Sequence, residues 1–129
     1  MPQLTGVKVV IVEDDDSSRQ AYERMLNAAG FRVESFATAE MLLASEAAAN
    51  AACLVLDIHL PGMSGLELGR ALGRTGGTQP AVIFITAHDN PAARAQAEAL
   101  GAAAFLPKPF AGRTLVETVA RAVDEVGNG

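Results

Sequence analysis

The 129-residue sequence contains one cysteine, Cys53. A lone thiol cannot close an internal disulfide, so a stapled secreted scaffold is excluded and a reducing cytoplasmic setting is expected. Cys53 opens an apolar run and reads as a small core residue. No apolar run approaches the roughly 20 residues of a membrane span, and no signal-peptide pattern is present, so no membrane association is expected. Basic runs are absent as well. Asp and Glu outnumber Lys and Arg by 15 to 10, which gives a net charge of -5. Direct nucleic-acid binding by this segment is therefore not expected. The first apolar run is not followed by a glycine-rich loop, which removes the dinucleotide-binding fingerprint. There is no internal repeat and no sign of a second domain.

What is present is a chain long enough to bury a core, with half of its residues hydrophobic. Five apolar runs alternate with helical patterns. Val7–Val12 is β-branched and ends in four acids, Glu13-Asp14-Asp15-Asp16. Asp16 or Ser17 suits a helix N-cap, and Tyr22, Met25, Leu26 and Ala29 would share the apolar face of a helix that Gly30 stops. Phe31–Phe36 alternates apolar and polar residues, as an edge strand does. Thr38 would cap a second helix whose apolar part is Met41, Leu42 and Leu43. Cys53–Asp57 is a third strand, apolar until its last residue, and a Pro/Gly loop follows it. Ser64 would cap a helix carrying Leu66, Leu68 and Leu72, and Arg74–Gln79 is expected to be a flexible connection. The fourth strand is Ala81–Thr86. Asn90-Pro91 would start a helix that ends near Leu100-Gly101. Ala103–Pro107 is a short fifth strand, followed by a helix with Leu115, Val116, Val119, Ala120 and Val123 on its core face. The pattern is α/β, a (βα)5 doubly wound parallel sheet.

Asp57 alone would be only a turn cap. Its company changes that, because Glu13, Asp14, Thr86 and Lys108 also follow strands, and in a parallel sheet those carboxyl ends share one edge. If the first and third strands are neighbours, the acids meet at the switch point where such sheets bind ligands. Three carboxylates at close range repel, and Lys108 leaves a net charge of about -2, which one divalent ion would neutralise. Hard oxygen donors favour Mg2+ or Mn2+ and leave room for a phosphoryl group. A carboxylate such as Asp57 can act as a nucleophile and carry that group as an acyl phosphate. Lys108, the ion and the Thr86 hydroxyl would stabilise its oxygens.

Taken in order, Ile11-Val12-Glu13-Asp14, Asp57 with Leu60-Pro61-Gly62-Met63-Ser64-Gly65, Ile85-Thr86-Ala87 and Lys108-Pro109-Phe110 resemble a known pattern. It is that of the receiver domain (CheY-like) of bacterial two-component response regulators, and the likeness covers about residues 7–126 of a single domain, 1–129. The resemblance implies a five-stranded sheet in the order 2-1-3-4-5, with Asp57 as phosphoacceptor. It makes Asp14 and Asp57 metal ligands, Glu13 a ligand through water, and the His59 backbone carbonyl a third protein ligand for Mg2+. Thr86 becomes the hydroxyl that follows the phosphoryl group and Lys108 its ion-pair partner. Phe105 stands where receivers carry a switch aromatic, or is a plain aromatic on a short strand. Lys108-Pro109 matches the family's cis peptide. His59 and His88, two positions after Asp57 and Thr86, either tune water attack on the acyl phosphate or are solvated loop residues. Ala87 leaves the pocket open to a phosphodonor.

The function so implied is a phosphorylation-controlled switch and not a turnover enzyme. A sensor histidine kinase, a phosphotransfer protein or a small phosphodonor would load Asp57. The surface of the fourth helix, fifth strand and fifth helix would pass the signal to an output domain or partner, with transcriptional regulation the expected output. Phosphorylation-dependent homodimerisation fits this scheme, and the sequence suits both a stand-alone receiver and the front half of a longer regulator. Two other readings stay open. A pseudo-receiver interaction module would typically have lost Asp57, an acid or Lys108. A phosphatase with an aspartyl nucleophile would usually need a second Asp where His59 stands, and a cap domain.

Overall fold

The computed structural model describes residues 6–72 and 80–128, with side chains described through Asp124. Its elements are β1 (Lys8–Val12), α1 (Asp16–Ala28), β2 (Arg32–Phe36), α2 (Ala39–Ala44), a 3-10 turn (Ala47–Asn50), β3 (Cys53–Asp57), α3 (Gly65–Leu72), β4 (Ala81–Thr86), α4 (Pro91–Ala99), β5 (Ala104–Pro107) and α5 (Gly112–Asn128). All strand pairs are parallel, in the order β2-β1-β3-β4-β5.

Strand periodicity divides the core in two. Val10, Val12, Leu54, Leu56 and Phe84 point to one face, where Leu42 of α2, Leu66 and Leu68 of α3, and Ala93 and Ala97 of α4 cover them. Val9, Ile11, Cys53, Val55, Ile83 and Ile85 point to the other, against Tyr22 and Leu26 of α1 and Leu115, Val119 and Ala122 of α5. Both faces of β1 and β3 are thus dry, which is why these strands are continuously apolar. Register then fixes the sheet's carboxyl edge. Val12 pairs with Leu56, Asp57 with Ile85 and Thr86 with Pro107, so the residues ending the strands come level with one another.

Several local expectations are corrected. Asp15, not Asp16 or Ser17, caps α1: its backbone is extended and its Oδ2 accepts from the Ser18 N–H at 2.8 Å. Asp16 lies in the first turn and ion-pairs with Arg19. Of the three residues expected as the apolar part of α2 only Leu42 is buried, with Ala39 beside it, whereas Met41 and Leu43 are exposed. Consecutive helical residues point about 100° apart, so three in a row cannot share one face. Met25 is likewise exposed, while Ala122, not expected in the core, is buried. β1 starts at Lys8, β2 at Arg32 and β5 at Ala104, each one residue later than the sequence suggests, and the 3-10 turn has no counterpart in that reading. The connection expected at Arg74–Gln79 lies outside the described residues.

Candidate functional site

Glu13 follows β1 and is tied down on both backbone sides. Its N–H donates to the Phe36 carbonyl at 3.0 Å, and its carbonyl accepts from Arg19 Nη1 at 2.9 Å. The residue is fully buried. Oε2 accepts from the Asp15 N–H at 3.0 Å and Oε1 from Lys108 Nζ at 2.7 Å. Asp57 closes β3 and is 4% exposed. Its Oδ1 accepts from the His59 N–H at 2.9 Å and its Oδ2 from Lys108 Nζ at 3.0 Å. One ammonium therefore joins two carboxylates that stand 44 positions apart in the chain, a contact that the β1–β3 pairing makes possible. Asp14 is exposed, yet a carboxylate oxygen from each of Glu13, Asp14 and Asp57 lies within 4.8 Å of the others.

The remaining parts come from β4 and β5. Thr86 is fully buried, and its Oγ1 accepts from the His88 N–H at 3.0 Å. Its O–H is the one proton this hydroxyl has to donate. The Lys108 N–H donates to the Thr86 carbonyl at 2.7 Å, and the Lys108–Pro109 peptide bond is cis. Gly65 opens α3 directly against β3, where a Cβ would run into the Asp57 carbonyl oxygen, so only glycine permits this approach.

Electrostatics follow from burial. Desolvation raises the Glu13 pKa above the ordinary carboxylate value, the bonds from Lys108 and the Asp15 N–H pull it back, and repulsion from Asp57 adds to the rise. For Lys108, burial alone would lower the pKa. The hydrogen bonds and charges of Glu13 and Asp57 outweigh it, and the amine is held above its usual value. Three oxygen donors, one of them open to solvent, match the demand of a hard divalent ion that keeps several waters.

Around this centre, the exposed rings of His59 and His88 meet edge to face with centroids 5.0 Å apart, and Ala87 is exposed beside them. Phe105 is half-buried, with the Arg94 guanidinium 4.5 Å from its ring centre. Arg94 also pairs with Asp89 at 3.1 Å. Three contributors were not anticipated from sequence: Arg19 beneath Glu13, Arg94 over Phe105, and Glu40. Arg19 had a local signal in its i,i+3 spacing from Asp16. Glu40 had none, because its partner, the Met63 N–H, is 23 positions away. No helix among the described residues is long and apolar enough to cross a membrane.

A family model described as a response regulator receiver domain matches residues 9–120. Nodulation protein W of Bradyrhizobium diazoefficiens is 37% identical over 120 residues, covering 93% of this chain and 52% of the relative. Transcriptional regulatory protein FixJ of Azorhizobium caulinodans is 34% identical over 119 residues, covering 92% of this chain and 55% of the relative. The chain thus spans about half the length of these curated relatives. A CheY-like receiver domain protein from Methanospirillum hungatei superimposes with a TM-score of 0.88 at 26% identity, over 96% of this chain and 98% of that one.

Proposed function

This chain belongs to the response regulator receiver domain family of two-component signalling, a regulatory domain, and from that premise we propose that Asp57 is its phosphoacceptor. The observation that carries the proposal is the Lys108 ammonium, 2.7 Å from buried Glu13 and 3.0 Å from Asp57, with Asp14 at the solvent side of the same cluster. In this scheme a carboxylate oxygen of Asp57 attacks the phosphorus of a histidine kinase, phosphotransfer protein or small phosphodonor. The bond from phosphorus to the donor breaks, and the phosphoryl group becomes an acyl phosphate. Glu13 through water, Asp14, Asp57 and the His59 backbone carbonyl would hold Mg2+ or Mn2+, which supplies positive charge as the phosphoryl oxygens arrive.

Lys108 leaves its ion pairs to hold one phosphoryl oxygen, and Thr86 turns its hydroxyl to donate to another. The acyl phosphate carries about -1.5 to -2 of charge where the carboxylate carried a single negative charge, and it brings three phosphoryl oxygens, enough to bias a packed two-state element. We assign that element to α4, β5 and α5, with Phe105 as the aromatic that responds, and His59, His88 and Ala87 as the residues that set access to the acyl phosphate. Residues 1–129 act as one receiver unit in the cytoplasm. Transcriptional output through a further domain or partner is the reading that names such as FixJ support. A dimer formed on phosphorylation would suit it.

The test is intact mass after incubation with acetyl phosphate and Mg2+, beside an Asp57→Asn variant and an EDTA control. A hydroxylamine-labile phosphoryl adduct on the parent, absent from both controls, is expected. Folded parent protein that takes no adduct from acetyl phosphate or from a kinase would make the domain a phosphorylation-independent interaction module.

A further inference from the structure

The loop after Asp57 runs from Ile58 to Ser64, and its ends are held by their own strand and helix. The His59 N–H is fixed on Asp57 Oδ1, and the Gly65 N–H donates to the Ile58 carbonyl at 3.0 Å. Ser64 and Glu67 cap each other, each donating its backbone N–H to the other's side chain at 3.1 Å. In the middle, Leu60 is buried and its N–H donates to the Ile58 carbonyl at 3.2 Å, but beyond it Pro61 and Gly62 are exposed and Met63 is half-buried against the core. Gly62 also sits at φ +74°, a conformation that side chains rarely adopt.

A side chain from α2 reaches this middle. Glu40 Oε2 accepts from the Met63 N–H at 2.9 Å, and the same oxygen lies 2.6 Å from where a Cβ on Gly62 would stand. Glu40 is therefore packed over the loop as well as bonded to it. Its platform is firm, because Ala39 and Leu42 are buried in the core and Thr38 caps the helix through the Met41 N–H at 3.1 Å. The Met63 N–H keeps the Glu40 carboxyl below the usual carboxylate range, so the acceptor stays ionised wherever the protein works.

We propose that Glu40 is a positioning residue for the acceptor site: it pins the middle of the Asp57 loop through the Met63 N–H and so fixes the His59 carbonyl relative to Asp57. This rests on the phosphoacceptor reading above. Without the Glu40 bond the exposed stretch between buried Leu60 and Ser64 samples more conformations, and ordering it at each binding event weakens apparent affinity. Outer partners of metal ligands commonly matter in this way.

The experiment compares full-length parent, Glu40→Ala and Glu40→Gln. Three readouts are followed: hydrogen exchange of the Met63 amide in EDTA, Mg2+ affinity from amide shifts, and the phosphorylation rate with acetyl phosphate at limiting and saturating Mg2+. Glu40→Ala should expose the Met63 amide and weaken Mg2+ binding on the order of 5-fold. Its phosphorylation should slow at limiting Mg2+ and recover when Mg2+ saturates. Glu40→Gln keeps an acceptor oxygen and should stay within about twofold of the parent. Folded Glu40→Ala with parental Mg2+ affinity and rate would overturn the proposal. A Glu40→Gln variant as impaired as Glu40→Ala would overturn it too, since charge and not the loop bond would then be responsible. A parent that binds no Mg2+ removes it as well. Glu40-dependent Mg2+ affinity in a parent that takes no phosphoryl group would instead sink the phosphoacceptor reading and leave the positioning role standing.

Discussion

Replacing Lys108 by methionine removes one ammonium and leaves two carboxylates facing each other. Glu13 is fully buried and Asp57 4% exposed, while the Lys108 side chain is 22% exposed. Stripping one partner from a buried ion pair costs about 3–5 kcal/mol. Partial exposure of Lys108 lets water screen some of that, so a loss of about 2–3 kcal/mol is expected near neutral pH without divalent ions. A domain of this size should then melt roughly 6–12 °C lower. The loss carries a pH signature. Glu13 already titrates above the ordinary carboxylate value because it is buried, and the Lys108 bond is what restrains the rise. Without Lys108 its folded-state pKa climbs further. A carboxyl group with a higher pKa folded than unfolded keeps its proton longer in the folded state, so stability falls as pH rises from the unfolded value of 4.5 through the folded one. The gap between variant and parent should thus be small near that value and widen toward neutrality, and Mg2+ should narrow it again. Urea unfolding followed by circular dichroism across this range measures it directly. A loss below about 1 kcal/mol near neutral pH, or one that ignores pH, would refute the claim that Lys108 balances two buried charges.

Two further outcomes follow from the packing. Gly65→Ala drives a methyl group into the Asp57 carbonyl, and since backbone must move the cost should reach about 3 kcal/mol, at the upper end for overpacking; a variant that melts with the parent would contradict the close approach of α3 to β3. Cys53 is fully buried, and desolvation pushes its thiol up to about 12. Native protein should therefore react with a thiol reagent at neutral pH orders of magnitude more slowly than urea-unfolded protein, and comparable rates would mean the start of β3 opens readily.

The fold was legible because two periodicities do not overlap. Cys53–Asp57 and Ala81–Thr86 are too continuously apolar for an exposed strand, and the intervening segments repeat at helical spacing, so a doubly wound parallel sheet follows. Polar residues at the ends of such strands, Glu13, Asp57, Thr86 and Lys108, mark the ligand edge before any coordinates exist. Boundaries and faces were less secure where a signal was ambiguous. Four successive acids offer several N-caps, and only the extended backbone at Asp15 selects one. The three consecutive large apolar residues Met41, Leu42 and Leu43 offer three faces, and packing against the sheet selected that of Leu42 and Ala39.

What sequence alone determined was which chemistry could gather: its strands end in oxygen donors and one amine because the groups are written beside apolar runs. What only the tertiary structure decided was how those groups pair. Lys108 bridges Glu13 and Asp57, Arg94 covers Phe105, and Glu40 holds the loop at Met63. Each contact joins distant positions, or residues whose orientation depends on helix rotation and strand register. Periodicity tells which face a residue takes, but the partner it finds there is set by the packing of another element.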